Sequence, residues 1–200
     1  MIPAAFDYVR AGSADEALAA LADHGDEAKL LAGGQSLIPL MRFRLVTPGV
    51  IVDVGSLNGD LQGIAVDGDS VRIGALTHHS TLEHSAELKA ACPLLAHVAS
   101  HVGDPAVRHR GTIGGSIAHA DPASDLPAAV LALGGTMIAR GPSGEREIPA
   151  SEFFTGFLES ALAPDELLTG ISVPVSTGGW AYEKFNRRAQ DWAVVGVAVA

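Results

Sequence analysis

The chain has 200 residues, of which 48% are hydrophobic and 18% charged. That composition suits one globular domain, or two small ones, with a core that needs no staple. Thirteen Lys and Arg against 23 Asp and Glu give a net charge of -10, and the one cysteine is Cys92. This argues against a nucleic-acid binder and against a disulfide framework, a cysteine zinc site or an iron–sulfur cluster held by this chain alone.

The opening "MIPAAFDYVRAG" lacks a basic n-region, and no run approaches the ~18 apolar residues of a membrane span. The sequence therefore predicts a cytoplasmic protein without a transmembrane segment. Residues 6–10 read as a short strand. Ser13 and Glu16 then form an S-x-x-E capping box ahead of an Ala/Leu-rich helix that stops near Gly25. "AKLLA" (28–32) reads as a buried strand running into Gly33 and Gly34. "SLIPLMRFR" follows as a short helix with Pro39 in its first turn. "GVIVDVGSL" is a further strand, and residues 61–76 form a hairpin around "DGD".

Residues 77–102 read as helix in two or three pieces, with Pro93 opening one. "TIGGSIAH" (112–119) reads as a strand. "SDLPAAVLALGG" is a helix with Ser124 as cap and Gly134 at its end. A second hairpin spans residues 136–150 around "GPSG", and "DELLTGISVPV" is a strand. Two more strands lie in "WAYEKFNRR" and "WAVVGVAVA". The fold class is α+β with two helix-bearing sheet units, divided near residues 50–57. The chain stops inside an apolar run with no cap or polar tail, as the front part of a longer protein would.

Two glycine pairs carry the chemistry. Gly33-Gly34 sit between a strand and a helix, where unpaired N–H groups and the helix dipole favour an anion. Gly114-Gly115 lack Cβ atoms, so a phosphate or planar ring can approach the main chain. Each pair alone reads as a turn or bulge; together they could supply donors to a dinucleotide pyrophosphate from two loops. "AGGQSL" is not G-x-G-x-x-G and no P-loop occurs, which disfavours Rossmann and P-loop folds. His97 and His101 are spaced i,i+4 but no third metal ligand is evident, and His78-His79 point apart. No G-x-S-x-G elbow accompanies His119 and Asp121, and Cys92 reads as inert core. Arg42 with Arg44, Arg108 to Arg110, and Lys184 to Arg188 read as solvated or interface-edge charges.

"LLAGGQSLIPLMRFRLVTP" together with "RHRGTIGGSIAHADPASDLPA" closely resembles the FAD-binding medium subunit of molybdenum hydroxylases. Aerobic-type carbon monoxide dehydrogenase is the nearer likeness and the flavin domain of xanthine dehydrogenase a more distant one. "IVDVGSL", "VRIGALTHHSTLEHS", "DELLTGISVP" and "AYEKFNRRAQDWAVVGVAVA" fall in the family's order, so the resemblance covers essentially the whole chain. It implies a two-subdomain FAD-binding domain of the vanillyl-alcohol-oxidase (PCMH) type, not Rossmann. The first subdomain would be residues 1–55, the second 56–177, and 178–200 would open a truncated C-terminal domain. It implies that FAD meets Ala32, Gly33, Gly34, Gln35, Ser36 and Leu37 on one side of its pyrophosphate. Thr112, Gly114, Gly115 and Ser116 would lie on the other. Asp125 would accept a cofactor hydroxyl and Leu168 would give an apolar contact. Lys184 would lie near the flavin ring, and Trp192 would be an aromatic beside it. No catalytic side chain and no metal are implied on this chain.

The implied function is oxidoreductase electron transfer. A large subunit would hold the molybdenum cofactor and a small one two [2Fe–2S] clusters, in a dimerised heterotrimer. FAD would pass their electrons to an external acceptor. Two rival readings are a free-standing flavin oxidase of the vanillyl-alcohol-oxidase type and a cofactor-less nucleotide-binding module.

Overall fold

The computed structural model describes residues 2–57 and 59–200. The first strand, β1 (Asp7–Arg10), leads into α1 (Ala14–His24). The capping box forms: Ser13 Oγ accepts from the Glu16 amide at 3.1 Å. Glu16 accepts from the Gly12 amide at 2.7 Å, so its carboxylate reaches one residue beyond the cap. Strand β2 (Ala28–Leu31), helix α2 (Leu37–Arg42) and strand β3 (Val50–Asp53) complete the first unit. All three strands are parallel and β3, the last in sequence, lies in the middle. A parallel strand covered on both sides reads as a continuous apolar run, which is why "VIV" is buried throughout. Ala17, Ala20 and Leu21 of α1 close one face together with Val52, Leu57, Leu61 and Leu76.

Strands β4 (Ile64–Asp67) and β5 (Ser70–Gly74) form the first hairpin. The chain then runs helical through α3 (His79–His84), α4 (Ala86–Ala91), α5 (Pro93–Ser100) and α6 (Pro105–Arg108). Helices α7 (Ile113–His119) and α8 (Asp125–Ala132) follow, and then β6 (Thr136–Gly141) with β7 (Gly144–Pro149) as the second hairpin. A short α9 (Ala150–Phe153) and the small pair β8 (Phe154–Gly156) and β9 (Glu159–Ser160) precede β10 (Leu167–Pro174). Strand β10 inserts between the hairpins, giving a five-stranded antiparallel sheet ordered β4-β5-β10-β6-β7. Its helix-facing side packs Ile73, Met137, Ile171 and Val173 against Leu82, Leu88, Leu95, Ile117 and Leu126. A hairpin of β11 (Ala181–Phe185) and β12 (Val195–Val199) lies against α5 and α8. No helix among the described residues is long and apolar enough to cross a membrane.

One predicted element is corrected. "TIGGSIAH" is the helix α7 with its cap, not a strand. Thr112 is the N-cap and its hydroxyl accepts from the Gly115 amide at 3.1 Å. The Gly114 amide donates to Ala75 O at 2.8 Å, off the end of β5. The short apolar run carried no period that separates strand from helix, and this cap with its tertiary hydrogen bond decides it.

Candidate functional site

The loop after β2 is shaped by its glycines. Gly34 adopts φ +74, the left-handed region, and Ile38 packs over it. A Cβ on Gly33 would overlap the carbonyl oxygen of Arg110 and lie 2.8 Å from Gly111 Cα. The two glycine motifs, some eighty residues apart, therefore touch through bare backbone. Among the described residues, no protein acceptor takes the amides of Gly33, Gly34, Gln35 or Ser36. Gln35 folds its side-chain amide back onto Gly33 O at 3.3 Å. Leu37 opens α2, half-buried.

The second motif contributes differently from the sequence expectation. The amides of Ile113, Gly114, Gly115 and Ser116 already bond Thr77 O, Ala75 O, Thr112 Oγ1 and Thr112 O. Gly114 owes its lack of a side chain to Ala75, whose carbonyl oxygen lies 2.7 Å from where a Cβ would sit. Gly115 is the exposed one: beyond the capping hydroxyl, a Cβ there would meet only Ala32 Cβ, at 4.0 Å. Thus Ala32 and Gly115 face each other across the seam. One wall offers free amides and the other the start of a helix with its Ser116 hydroxyl. Such a donor set fits a pyrophosphate, and a side chain at Gly115 would fill the seam. Ala75 N in turn donates to Thr169 O at 3.0 Å, which ties β10 to the strand end that holds Gly114. Leu168 itself is buried, beside a bulge in β10.

The remaining predicted residues form a second group. Asp125, the first residue of α8, is only 5% exposed. Its Oδ2 accepts from Lys184 Nζ at 3.0 Å and its Oδ1 from the Tyr182 hydroxyl at 2.6 Å. Lys184 also donates to His101 O at 2.9 Å, so it is a buried ion-pair partner rather than a surface charge of the "EKFNRR" cluster. Burial, then the Asp125 carboxylate, push the Tyr182 phenol well above its usual range, and it stays a donor. Trp192 is exposed in the loop between β11 and β12, and its neighbour Ala193 donates to Ala123 O at 3.3 Å. Sequence reasoning missed Tyr182. The signal was available: Tyr182 and Lys184 alternate with Ala181 and Glu183 and share one face of a strand.

The histidines sort by burial. The rings of His97 and His101 lie 4.5 Å apart at a tilt, with Trp180 beyond His97 and Tyr182 edge-on to His101. Among the described residues, no three His, Cys, Asp or Glu side chains converge as a metal ion requires. His79 is buried behind Gly111, its Nδ1 has no partner among the described residues, and burial holds its pKa down to about 4. A separate cleft of about 740 Å³ lies between Ser13, Leu61, Arg72, Ile138 and Glu145, and none of the predicted site residues lines it.

Residues 4–176 match the FAD binding domain in molybdopterin dehydrogenase. The chain belongs to this family. It is 43% identical to the carbon monoxide dehydrogenase medium chain of Hydrogenophaga pseudoflava, covering all of this chain and 70% of that one. It is 42% identical to subunit alpha of the 6-hydroxypseudooxynicotine dehydrogenase complex of Paenarthrobacter nicotinovorans, covering 99% and 67%. Among solved structures, carbon monoxide dehydrogenase of Hydrogenophaga pseudoflava lacking the Mo-pyranopterin moiety superposes with TM-score 0.96. That match is 44% identical and covers 99% of this chain and 69% of the other. The resemblance read from the glycine motifs is borne out, and with it FAD as the cofactor of an oxidoreductase subunit.

Proposed function

We propose that this chain holds FAD noncovalently as the flavin subunit of a cytoplasmic molybdenum hydroxylase, in an arrangement of the vanillyl-alcohol-oxidase (PCMH) type. The observation that carries the proposal is the seam where Gly33 meets Arg110 and Ala32 faces Gly115, beside a loop whose amides at Gly33 to Ser36 have no acceptor among the described residues. The amides of Gly33 to Ser36 would hold the pyrophosphate, with Leu37 capping that loop. Gly115 and Ser116 would form the opposing wall, held in place by the buried Thr112 and Gly114. Leu168 would offer an apolar surface. Asp125 would accept a cofactor hydroxyl on a remaining lone pair, since each carboxylate oxygen has spare acceptor capacity. Lys184 and Trp192 would lie toward the ring. When bound, FAD supplies a carrier that takes electrons singly and releases them in pairs.

The partners would be a large subunit with the molybdenum cofactor and a small subunit with two [2Fe–2S] clusters. Together they would form a dimerised heterotrimer serving an external acceptor. Relatives of almost equal identity are named for carbon monoxide and for a nicotine derivative. The substrate is therefore a property of another subunit. Titration of the purified chain with FAD and FMN tests the reading. Saturable FAD binding, with FMN much weaker and the colour released on denaturation, is expected. Equal affinity for FMN and FAD would count against a pyrophosphate site, and colour that stays with the denatured chain against noncovalent binding.

A further inference from the structure

Asp125 lies some sixty residues before Lys184, and Tyr182, two residues ahead of Lys184 on the same strand, helps tie the two segments together. Tyr182 and Lys184 project from the same face of β11 and grip the two carboxylate oxygens of Asp125 separately, at 2.6 and 3.0 Å. The grip joins a β-hairpin to the first turn of α8. The opposite hairpin strand leaves room for it: at Gly196, which pairs with Lys184, a Cβ would lie 3.0 Å from the phenol oxygen. The phenol ring is 6% exposed and seated edge-on against His101, 5.6 Å between centroids. Its orientation is thus fixed by packing and its hydroxyl has one destination.

We propose that Tyr182 is a positioning residue of the flavin site, holding Asp125 in the rotamer that faces the cofactor and fixing the hairpin that carries Lys184 and Trp192. This rests on the proposed function, in which Lys184 and Trp192 lie toward the flavin ring, and it takes the hydroxyl that Asp125 accepts as one on the flavin side of the pyrophosphate. Lys184 alone cannot do the same. An ammonium on a four-carbon stem restrains one oxygen as a point charge, whereas the phenol on a rigid ring restrains the other in direction.

The test is a binding split between FAD and ADP, which carries the pyrophosphate and adenosine but no flavin. Tyr182→Phe keeps the ring on His101 and removes only the hydroxyl. FAD affinity should fall roughly tenfold or more, the loss expected for a hydrogen bond to a charged acceptor, while ADP affinity holds. In an Asp125→Asn background the same change should add almost nothing, because Tyr182 acts through that carboxylate. Gly196→Ala, which crowds the phenol without removing it, should give a smaller loss for FAD and none for ADP; it decides the matter if Tyr182→Phe does not fold. Unchanged FAD affinity, or equal losses for FAD and ADP, would overturn the proposal. Wild-type chain that binds neither ligand would instead sink the functional reading on which the proposal rests.

Discussion

At the scale of the residue, the glycines of the two motifs have separate jobs. Gly33 and Gly114 are required by neighbouring protein backbone, Gly34 by its left-handed conformation, and Gly115 by the open seam. Gly33→Ala should therefore destabilise the chain before any ligand is present, by ~1–3 kcal/mol as for other overpacked sites. Gly115→Ala adds a methyl inside α7, where alanine is the better helix former, but sets it 2.9 Å from the capping Thr112 hydroxyl. These effects oppose each other, so its melting temperature should change far less than that of Gly33→Ala, yet FAD should bind more weakly. Thermal melts with and without FAD check both, and equal destabilisation by the two substitutions would refute the division. His79 gives a pH dependence. Burial, then His78 and Arg108, depress its pKa to about 4 from 6.5. Between those values the unfolded chain binds the extra proton, so stability rises with pH across pH 4–6.5 and levels off above. The step is worth about 3 kcal/mol. His78 and His97 are also depressed, first by burial, and add in the same direction. His79→Phe keeps a ring and removes the titration; urea midpoints from pH 4 to 7 should lose most of that slope, and an unchanged slope would contradict it.

At the scale of the element, legibility follows from how local the decision is. The capping box at Ser13, both hairpins and the strand entering Gly33 were readable, because each is fixed by residues within a few positions. The helix α7 was not: "TIGGSI" has the β-branched residues of a strand and glycines that favour neither element, and its identity depends on Thr112 and on Ala75, some forty residues upstream. The place of β3 between β1 and β2, and of β10 between two hairpins, likewise rests on pairings that no local pattern announces. The Asp125 cluster was half readable. Asp125 and Lys184 were both named, but as separate contacts to a ligand, and their pairing with each other spans 59 positions. That pairing has an energetic consequence. Both side chains are about 95% buried, so Lys184→Met leaves a carboxylate facing the core with only the phenol. Breaking a buried pair on one side costs ~3–5 kcal/mol. The exposed Arg140–Asp15 pair between α1 and β6 should contribute under ~1 kcal/mol. Urea denaturation of Lys184→Met beside Asp15→Asn should show this contrast, and similar small losses would mean that the buried pair is not sealed from water.

At the scale of the molecule, two cores share one seam. The smaller core is built on α1 and β3, the larger on the helices that cover the five-stranded sheet. Their backbones meet where Gly33 lies against Arg110. A ligand held by amides of the Gly33 loop on one side and by α7 on the other would join both cores. Its binding energy would then appear in the unfolding of the whole chain rather than of one half. Mass action sets the size: ligand at about a hundred times its dissociation constant adds ~2.7 kcal/mol. FAD at that level should raise the melting temperature in a single transition followed equally well by Trp180 and Trp192 fluorescence and by far-ultraviolet circular dichroism. FMN has one phosphate and no second nucleotide half. At the same concentration it should shift the transition much less, because it cannot use both walls of the seam. Fluorescence and circular dichroism that part company on adding FAD would show that only one core responds. The ligand would then sit within a single unit, and the seam between Ala32 and Gly115 would lose its claim to the pyrophosphate.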